Sequence, residues 1–390
     1  MRVAYLVGTW PEPSETFLVR EVAGLRAHGL DVRVLALAPG PDGAAADAGY
    51  RPDGRDGAAW RALAHRARRH PSDLGRLLSA SLRTPRWLRH LPTAAWLAES
   101  AADADLVHAA WASLPAQVAW MSRHLGGPAY TVAGHAQDVF GPAGCCRAAL
   151  VEARGLTVCN RAAWRRWAAD PVLRARLAWH PHGLPLAAWP VRTGGSEQPP
   201  VVLGVGRLVA KKGFTTLVRA MSRVPGARLV LLGEGPERAV LAAQARELGV
   251  DARLAGRVAE AEVAAWLARA SVLALPSRVA AGGDRDGLAN VLLEAMASGV
   301  PVVTTAAGSA EDAVAHRRTG LIVPPDDPAA LAAALRAVLA EPALAAALAA
   351  RARRLVEQRY TLEVNTLRLA RWLTAAAGSR EVDSCPTKLT

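Results

Sequence analysis

The sequence has little cysteine. Its four, Cys145, Cys146, Cys159 and Cys385, show no metal-ligand spacing, and chain neighbours such as Cys145 and Cys146 do not normally pair with each other. A reducing cytoplasm and no structural disulfides are the expectation. Long apolar runs are missing too, so no membrane-spanning helix is expected. The opening MRVAYLVGTWPEP is too short, and too soon broken by proline, for a signal peptide. No repeat of solenoid period occurs. No zinc-finger, RNP-type or helix-turn-helix signature is present, which argues against a nucleic-acid partner. A dinucleotide fingerprint is also absent: after Gly204 and Gly206, position 209 is Val where a third glycine is required. No Gly-Lys-Ser/Thr follows either, so this is not a P-loop.

What is there is a chain of 390 residues, long enough for two domains. It is 51% hydrophobic and 21% charged, a normal composition for a folded globular protein. The net charge of +13 is carried almost wholly by arginine. Between 51 and 90, Arg51, Arg55, Arg61, Arg66, Arg68, Arg69, Arg76, Arg83, Arg86 and Arg89 face only Asp53, Asp56 and Asp73, with Trp60, Trp87 and Trp96 interleaved to position 96. Two readings stand: a solvated helical face, or a surface that leans on anionic lipid headgroups.

Apolar runs alternate with helical stretches along the chain. RVAYLVG, DVRVLALA, DLVHA, PAYTVAG and GLTVC read as strands, interrupted by a basic insertion at about 40–100. After VRTGGSEQPP the rhythm restarts with PVVLGVG, ARLVLLG, ARLAG, SVLALPS, PVVTT and LIVP. The fold class expected is α/β, with two Rossmann-like, doubly wound parallel-sheet domains facing a central cleft. The boundaries expected are a first domain at 1–190, a linker at 191–199, a second domain at 200–358, a last helix at 359–376 and a flexible tail at 377–390.

The segment DGLANVLLEAMASGVP (286–301) places two acids eight residues apart, Asp286 and Glu294. On one continuous helix they would sit about 80° and roughly 12 Å apart, too far to meet at one ligand atom. Gly287 favours a loop, Asn290 is a good N-cap, Gly299 fits a C′ glycine and Pro301 opens the next strand. Asp286 then lies in a loop before a helix N-terminus, and Glu294 one turn inside. The helix start would hold an anion between the acids. An elongated ligand with a central phosphate is implied.

GVGRLVAKKGF supplies Arg207 and Lys212 at a strand end, which suits a diphosphate, although two ordinary surface cations would look the same. LVLLGEGPE supplies a turn, Glu234 and Gly235, where a flat base could approach the backbone, and LAGRV, ending at Val258, is similar. TVAGHAQDVF places His135 and Asp138 just past a strand. His135 is an active-site candidate or a core histidine bonded to backbone. In WPEPSETFLVREV, Ser14 or Thr16 would cap the next helix with Glu15 or Glu21 in its early turns, or would serve acceptor binding. His180 and His182 sit two apart with no further ligands near them in sequence, so no metal is read there.

GRLVAKKGF, LVLLGEGPE, DGLANVLLEAMASGVPVV and TGLIVPPDDPAAL, in that order, resemble the retaining glycosyltransferases of family 4, which have the GT-B fold. WPEPSETFLVREVAGLRAHG and TVAGHAQDVF resemble the colanic-acid, exopolysaccharide-type bacterial branch. The resemblance is strong over 200–325, good at 1–38 and 128–140, and poor across 40–100. It implies transfer of a hexose-type sugar from a nucleotide-diphosphate sugar to an acceptor hydroxyl, with retention and without metal or cofactor. It implies that Arg207 and Lys212 hold the diphosphate, that Glu294 binds the ribose, and that Asp286, where the family more often has Glu, contacts the sugar hydroxyls. Gly206, Gly287, Leu288, Ala289 and Asn290 would complete the donor site, with Glu234, Gly235 and Val258 near the base. His135 would sit under the transferred sugar; Ser14, Glu15, Thr16 and Asp138 lie on the acceptor side. The final helix would cross back onto the first domain. The acceptor would be a glycan or lipid-linked sugar at the inner face of the cell membrane, or else a small natural-product aglycone. An epimerase and a non-catalytic nucleotide-sugar-binding protein are the competing functions.

Overall fold

The computed structural model describes residues 1–12, 15–41, 43–52, 57–72, 74–75, 77, 85–141, 145–192 and 197–378. Ser14, Asp53, Arg55, Asp56, Asp73, Arg76, Arg83 and Cys385 lie outside these residues, as does the side chain of Arg86.

Two parallel sheets organise the chain. The first has seven strands: β1 (Arg2–Trp10), β2 (Asp31–Pro39), β3 (Ala48–Tyr50), β4 (Leu106–Ala109), β5 (Tyr130–Gly134), β6 (Gly155–Val158) and β7 (Leu177–Trp179), in the order β3-β2-β1-β4-β5-β6-β7. β1 is central, with Val3 opposite Val32 on one side and Leu106 on the other. Val3 to Val7 are all buried, as expected of a strand covered by helices on both faces. The second sheet has six strands: β8 (Val201–Val205), β9 (Arg228–Leu232), β10 (Ala252–Gly256), β11 (Val272–Leu275), β12 (Val302–Thr305) and β13 (Leu321–Val323), in the order β10-β9-β8-β11-β12-β13. In each sheet the strand order reverses beside the first strand of the domain, which is where parallel sheets open a crevice.

The segment 40–100 is more integrated than its composition suggests. It adds β3 to the sheet edge and the helices Ala58–Arg69 and Leu91–Ser100 to one face. Trp96 is buried and Trp87 packs against the same core, while Trp60 is 61% exposed. Two of the three tryptophans therefore serve packing, and the idea of a tryptophan-studded surface shrinks to Trp60 with its neighbouring arginines.

The chain ends on three helices, Pro328–Ala340, Pro342–Arg359 and Leu362–Gly378. The last runs two residues into what read as tail, and it returns to the first domain. Leu184 N donates to Tyr360 O and Leu362 N to Leu184 O, both at 2.8 Å, which threads the crossing. Leu369, Trp372 and Leu373 then join Val3, Tyr5 and Val7 in one apolar cluster. The fit against the first helix, Thr16–Ala27, is close: a Cβ on Gly24 would lie 2.5 Å from the methyl of Thr366.

Candidate functional site

A cleft of about 440 Å3 lies between the domains. Phe17, Trp111, His135, Cys159 and His182 line it from the first domain, and the segments 205–207, 211–212 and 285–291 from the second. They sit at the carboxyl ends of strands, on the loops that follow, or in the first turn of the helices after those loops.

The centre of the second wall is an ion pair. Lys212 Nζ is 2.9 Å from Asp286 Oδ2, and both side chains are nearly buried. Ser277 Oγ donates to the same oxygen at 2.8 Å. Burial alone would raise the Asp286 carboxyl, but Lys212, Ser277 and Lys211 outweigh it and hold the group below its ordinary value. Arg207 is exposed in the cleft wall, and Lys211 pairs with Asp284 at 3.0 Å. Arg285 lies over the Phe140 ring, 4.8 Å from its centroid. Arg207, Lys211, Lys212 and Arg285 all line the cleft, and Asp286 stands among them. Gly206 has φ +150°, and Lys212 Cε would lie 3.1 Å from any Cβ there, so the lysine runs over the space a side chain would fill.

The helix Asn290–Ala297 begins in this wall, with Leu288 to Val291 lining the cleft. The expected cap is one residue off. Ala289 holds the cap position, and Asn290 is the first helical residue without a side-chain cap bond. Gly299 has φ +71° and closes the helix, with Gly299 N bonded to Met296 O and Val300 N to Ala295 O.

Glu294, one turn in, is buried beside Arg20 of the first domain. Burial pushes its carboxyl up to about 7. Arg20 Nη1, at 3.6 Å, lowers it, while the charge of Glu260, which Arg20 Nη2 holds at 2.5 Å, adds to burial in raising it. Arg20 thus spans the domain interface. Nothing in its sequence context marked it.

The first wall is aromatic. The His135 ring centroid is 4.4 Å from Trp111 and 5.1 Å from Phe17, and the ring is parallel to His182 at 5.2 Å. Burial lowers His135 to about 3 and His182 well below its ordinary value, so both rings are neutral near pH 7. His135 precedes the short helix Ala136–Phe140, and its backbone N donates to Asp138 Oδ2 at 3.0 Å. Asp138 also binds the Ala112–Ser113 turn, and burial raises it to about 6. It therefore ties the His135 loop to the loop that carries Trp111.

A second depression of about 250 Å3 adjoins the cleft through Trp111 and is lined by Glu15, Asp138, Gln137 and Gly8 among others. Thr16, expected as a possible cap, is instead the first helical residue, and Glu15, expected in the early turns, holds the cap position without a side-chain cap bond. Burial raises Glu15 to about 7 despite a hydrogen bond from Trp111.

Glu234, Gly235 and Val258 lie outside the cleft lining. Glu234 pairs with Arg238 one helical turn on at 3.1 Å, Gly235 packs against the backbone of Leu208, and Val258 rests on the second core. Conversely, folding supplies His182 with neighbours that its local sequence lacked. One ligand atom from each of His135, Cys159 and His182 lies within 4.8 Å of the others, a set of donors able to hold a metal ion.

Two facing parallel-sheet domains with the cleft between them define the GT-B fold. Anabaena Alr3699/HepE in complex with UDP superposes with TM-score 0.74 at 17% identity, over 96% of this chain and 100% of that one. Sucrose-phosphate synthase from Thermosynechococcus elongatus gives 0.67 at 24% identity, over 96% and 100%. In sequence, residues 188–355, which span the second sheet and the helices behind it, match the family described as Glycosyl transferases group 1. A GDP-mannose-dependent alpha-(1-6)-phosphatidylinositol monomannoside mannosyltransferase of Mycolicibacterium smegmatis is 35% identical over 224 residues, 55% of each chain. A glycogen synthase of Mycobacterium tuberculosis is 36% identical over 212 residues, 52% of this chain and 46% of that one. The chain spans about half the length of these curated relatives.

Proposed function

We propose that the protein is a retaining glycosyltransferase that moves a hexose-type sugar from a nucleotide-diphosphate sugar to an acceptor hydroxyl, and that it works on a glycan or lipid-linked acceptor at the cytoplasmic face of the membrane. The observation that carries this is the Lys212–Asp286 pair beside the start of the Asn290–Ala297 helix, with Glu294 one turn in. Asp286, the cations and the helix start line the cleft, and Glu294 lies one turn in beside Arg20; sugar at Asp286, diphosphate over the cations and ribose towards Glu294 is our reading of that order. The nucleotide-sugar names among the relatives and the matching structures support the same donor class.

In this reading the diphosphate displaces part of the Lys212–Asp286 pairing. Lys212, Arg207 and the helix N-terminus take up the charge that develops on the leaving group. Asp286, released towards the sugar, accepts hydrogen bonds from its hydroxyls. The aromatic wall of Trp111, Phe17 and His135 receives the sugar ring. The acceptor oxygen bonds to the anomeric carbon as the carbon–oxygen bond to the β-phosphate breaks. The acceptor's proton passes to a β-phosphate oxygen on the same face, which gives retention and needs no glycosidase-type carboxylate pair. Protein cations, not a metal, balance the diphosphate in this scheme. Undiminished turnover after chelator treatment is its expected companion result.

The test is release of nucleotide diphosphate from a panel of UDP-, GDP- and ADP-sugars, with GDP-mannose and UDP-glucose first. Slow release from one donor is expected. Lys212→Ala should lower it by about two decades or more, the scale of losing a key charge stabiliser. Silence across the panel, or a Lys212→Ala variant as fast as wild type, would sink the assignment.

A further inference from the structure

Behind the cleft lies a second cavity of about 470 Å3 whose lining includes five arginines, Arg161, Arg318, Arg351, Arg354 and Arg359, against two acids, Glu311 and Asp312. Arg161 opens the helix Arg161–Ala168 of the first domain, and the other four belong to the second domain, three of them on the helix Pro342–Arg359. Among the described residues, none of the five guanidiniums lies within salt-bridge distance of a carboxylate. Their neighbour Arg353, on the same helix, pairs with Glu357 at 2.7 Å. Asp312 feels the charges of Arg161 and Arg165, but burial holds its carboxyl above its ordinary value. One of its carboxylate oxygens accepts from the Arg161 backbone N at 2.8 Å, which stitches the domains together. Arg161 Nε is buried without a hydrogen-bond partner. Arg351 Nε donates to the backbone O of Arg318 at 2.7 Å, which fixes the Arg351 side chain beside the Arg318 backbone.

Unpaired guanidiniums gathered around a concave space repel one another, and an anion with several oxygens relieves that repulsion. Guanidinium forks match phosphate oxygens in geometry and charge. No aromatic side chain lines the cavity, so there is no platform for a nucleobase.

We propose that this cavity is a second ligand site, distinct from the cleft, for a phosphate-bearing anion without a base, as in pyrophosphate or a phosphorylated lipid headgroup. Such a ligand bridges Arg161 to Arg318, Arg354 and Arg359 and so clamps the two domains. The clamp is set directly behind the cleft. Cys159 lines the cleft two residues before Arg161. Between them Asn160 Oδ1 accepts from Ser309 Oγ of the second domain at 2.9 Å. Gly308, next to Ser309, packs on the backbone of Asp286, where a Cβ would meet Asp286 O at 2.4 Å. An occupant of the arginine cavity therefore stiffens the frame that holds Asp286.

The experiment is calorimetric titration of pyrophosphate into the full chain, the Lys212→Ala variant and the Arg354→Ala/Arg359→Ala variant, all at one ionic strength. Both arginines are exposed, and equal melting temperatures check the fold. Binding that survives Lys212→Ala and weakens about tenfold or more in the double arginine variant is the expected result. Equal affinity and stoichiometry in the arginine variant and wild type would overturn the proposal, as would complete loss of binding in Lys212→Ala. Pyrophosphate binding indifferent to Lys212 yet abolished by the arginine changes would uphold this cavity while removing support for the donor site. Flotation with phosphatidylcholine vesicles containing phosphatidic acid assigns the source. Wild-type vesicle binding that the arginine variant loses identifies a lipid headgroup, and pyrophosphate binding without vesicle binding identifies a free anion.

Discussion

Glu21 and Glu294 show what single buried groups do in this protein. Glu21 is buried and accepts a hydrogen bond from Tyr5 OH at 2.6 Å, and burial raises its carboxyl to about 7. Its folded state therefore holds a proton that the unfolded chain releases near its ordinary value of 4.5. That contribution to stability is complete below about 4.5 and is lost as pH rises through about 7. Neighbouring histidines oppose it. His108 and His180 are lowered to about 3 and about 4 by burial, so their contribution grows as pH rises towards 6.5. Comparing wild type with Glu21→Gln by urea unfolding cancels the histidine part. The stability advantage of wild type over the variant should shrink by a few kcal/mol between about pH 4.5 and 7 and stay flat above. A pH-independent difference would refute this. The acid Glu294 was legible in the sequence as half of a spaced pair. Its raised carboxyl was not, because burial by the opposite domain is a property of the fold.

At the scale of elements, the closing helix and the first helix form a close joint. Gly24 is there because Thr366 leaves no room for a methyl group. Gly24→Ala gains a little helix propensity, about 1 kcal/mol, but must push the closing helix away. Overpacking of this kind costs typically ~1–3 kcal/mol, and a bulkier Gly24→Val more. Equilibrium unfolding should therefore show Gly24→Ala neutral to destabilised and Gly24→Val clearly destabilised. A stabilised Gly24→Val would show that the joint is loose. The strands of both sheets were legible because buried parallel strands are continuous apolar runs. β3 and β7, of three residues each, were not, whereas β13, equally short, stands out as the apolar run LIVP; where the run is mixed, only pairing with a neighbour makes it a strand. Asn290 and Thr16 have the chemistry of caps, yet each sits one residue inside its helix.

For the whole molecule, a largely buried charge cluster joins the two domains. Arg20 reaches from the first domain to Glu260 and Glu294 of the second. Arg20→Ala leaves Glu294 buried without a counter-ion, while Glu260, 39% exposed, finds water. The expected loss of stability is about 1–3 kcal/mol. It should be larger at pH 8, where Glu294 is ionised, than at pH 6, where it is largely protonated. An equal loss at both would mean that Arg20 acts only through its packing on Trp189, whose ring centroid is 5.9 Å away. On the opposite side of the cleft, Arg161 lies where an anion would clamp the same interface.

The sequence by itself determined the two-sheet architecture, the break between them and the acids and cations of the second wall. Those signals are local: apolar runs, glycine and proline punctuation, and charged residues at strand ends. Only the tertiary structure decided which groups became partners. Lys212 meets Asp286 across 74 residues of chain, Arg20 meets Glu294, and His182 meets His135 and Cys159. Burial then raised the Glu294 carboxyl and kept His135 and His182 neutral. Such pairings depend on how sheets and domains close on one another, and no spacing along the chain encodes that distance.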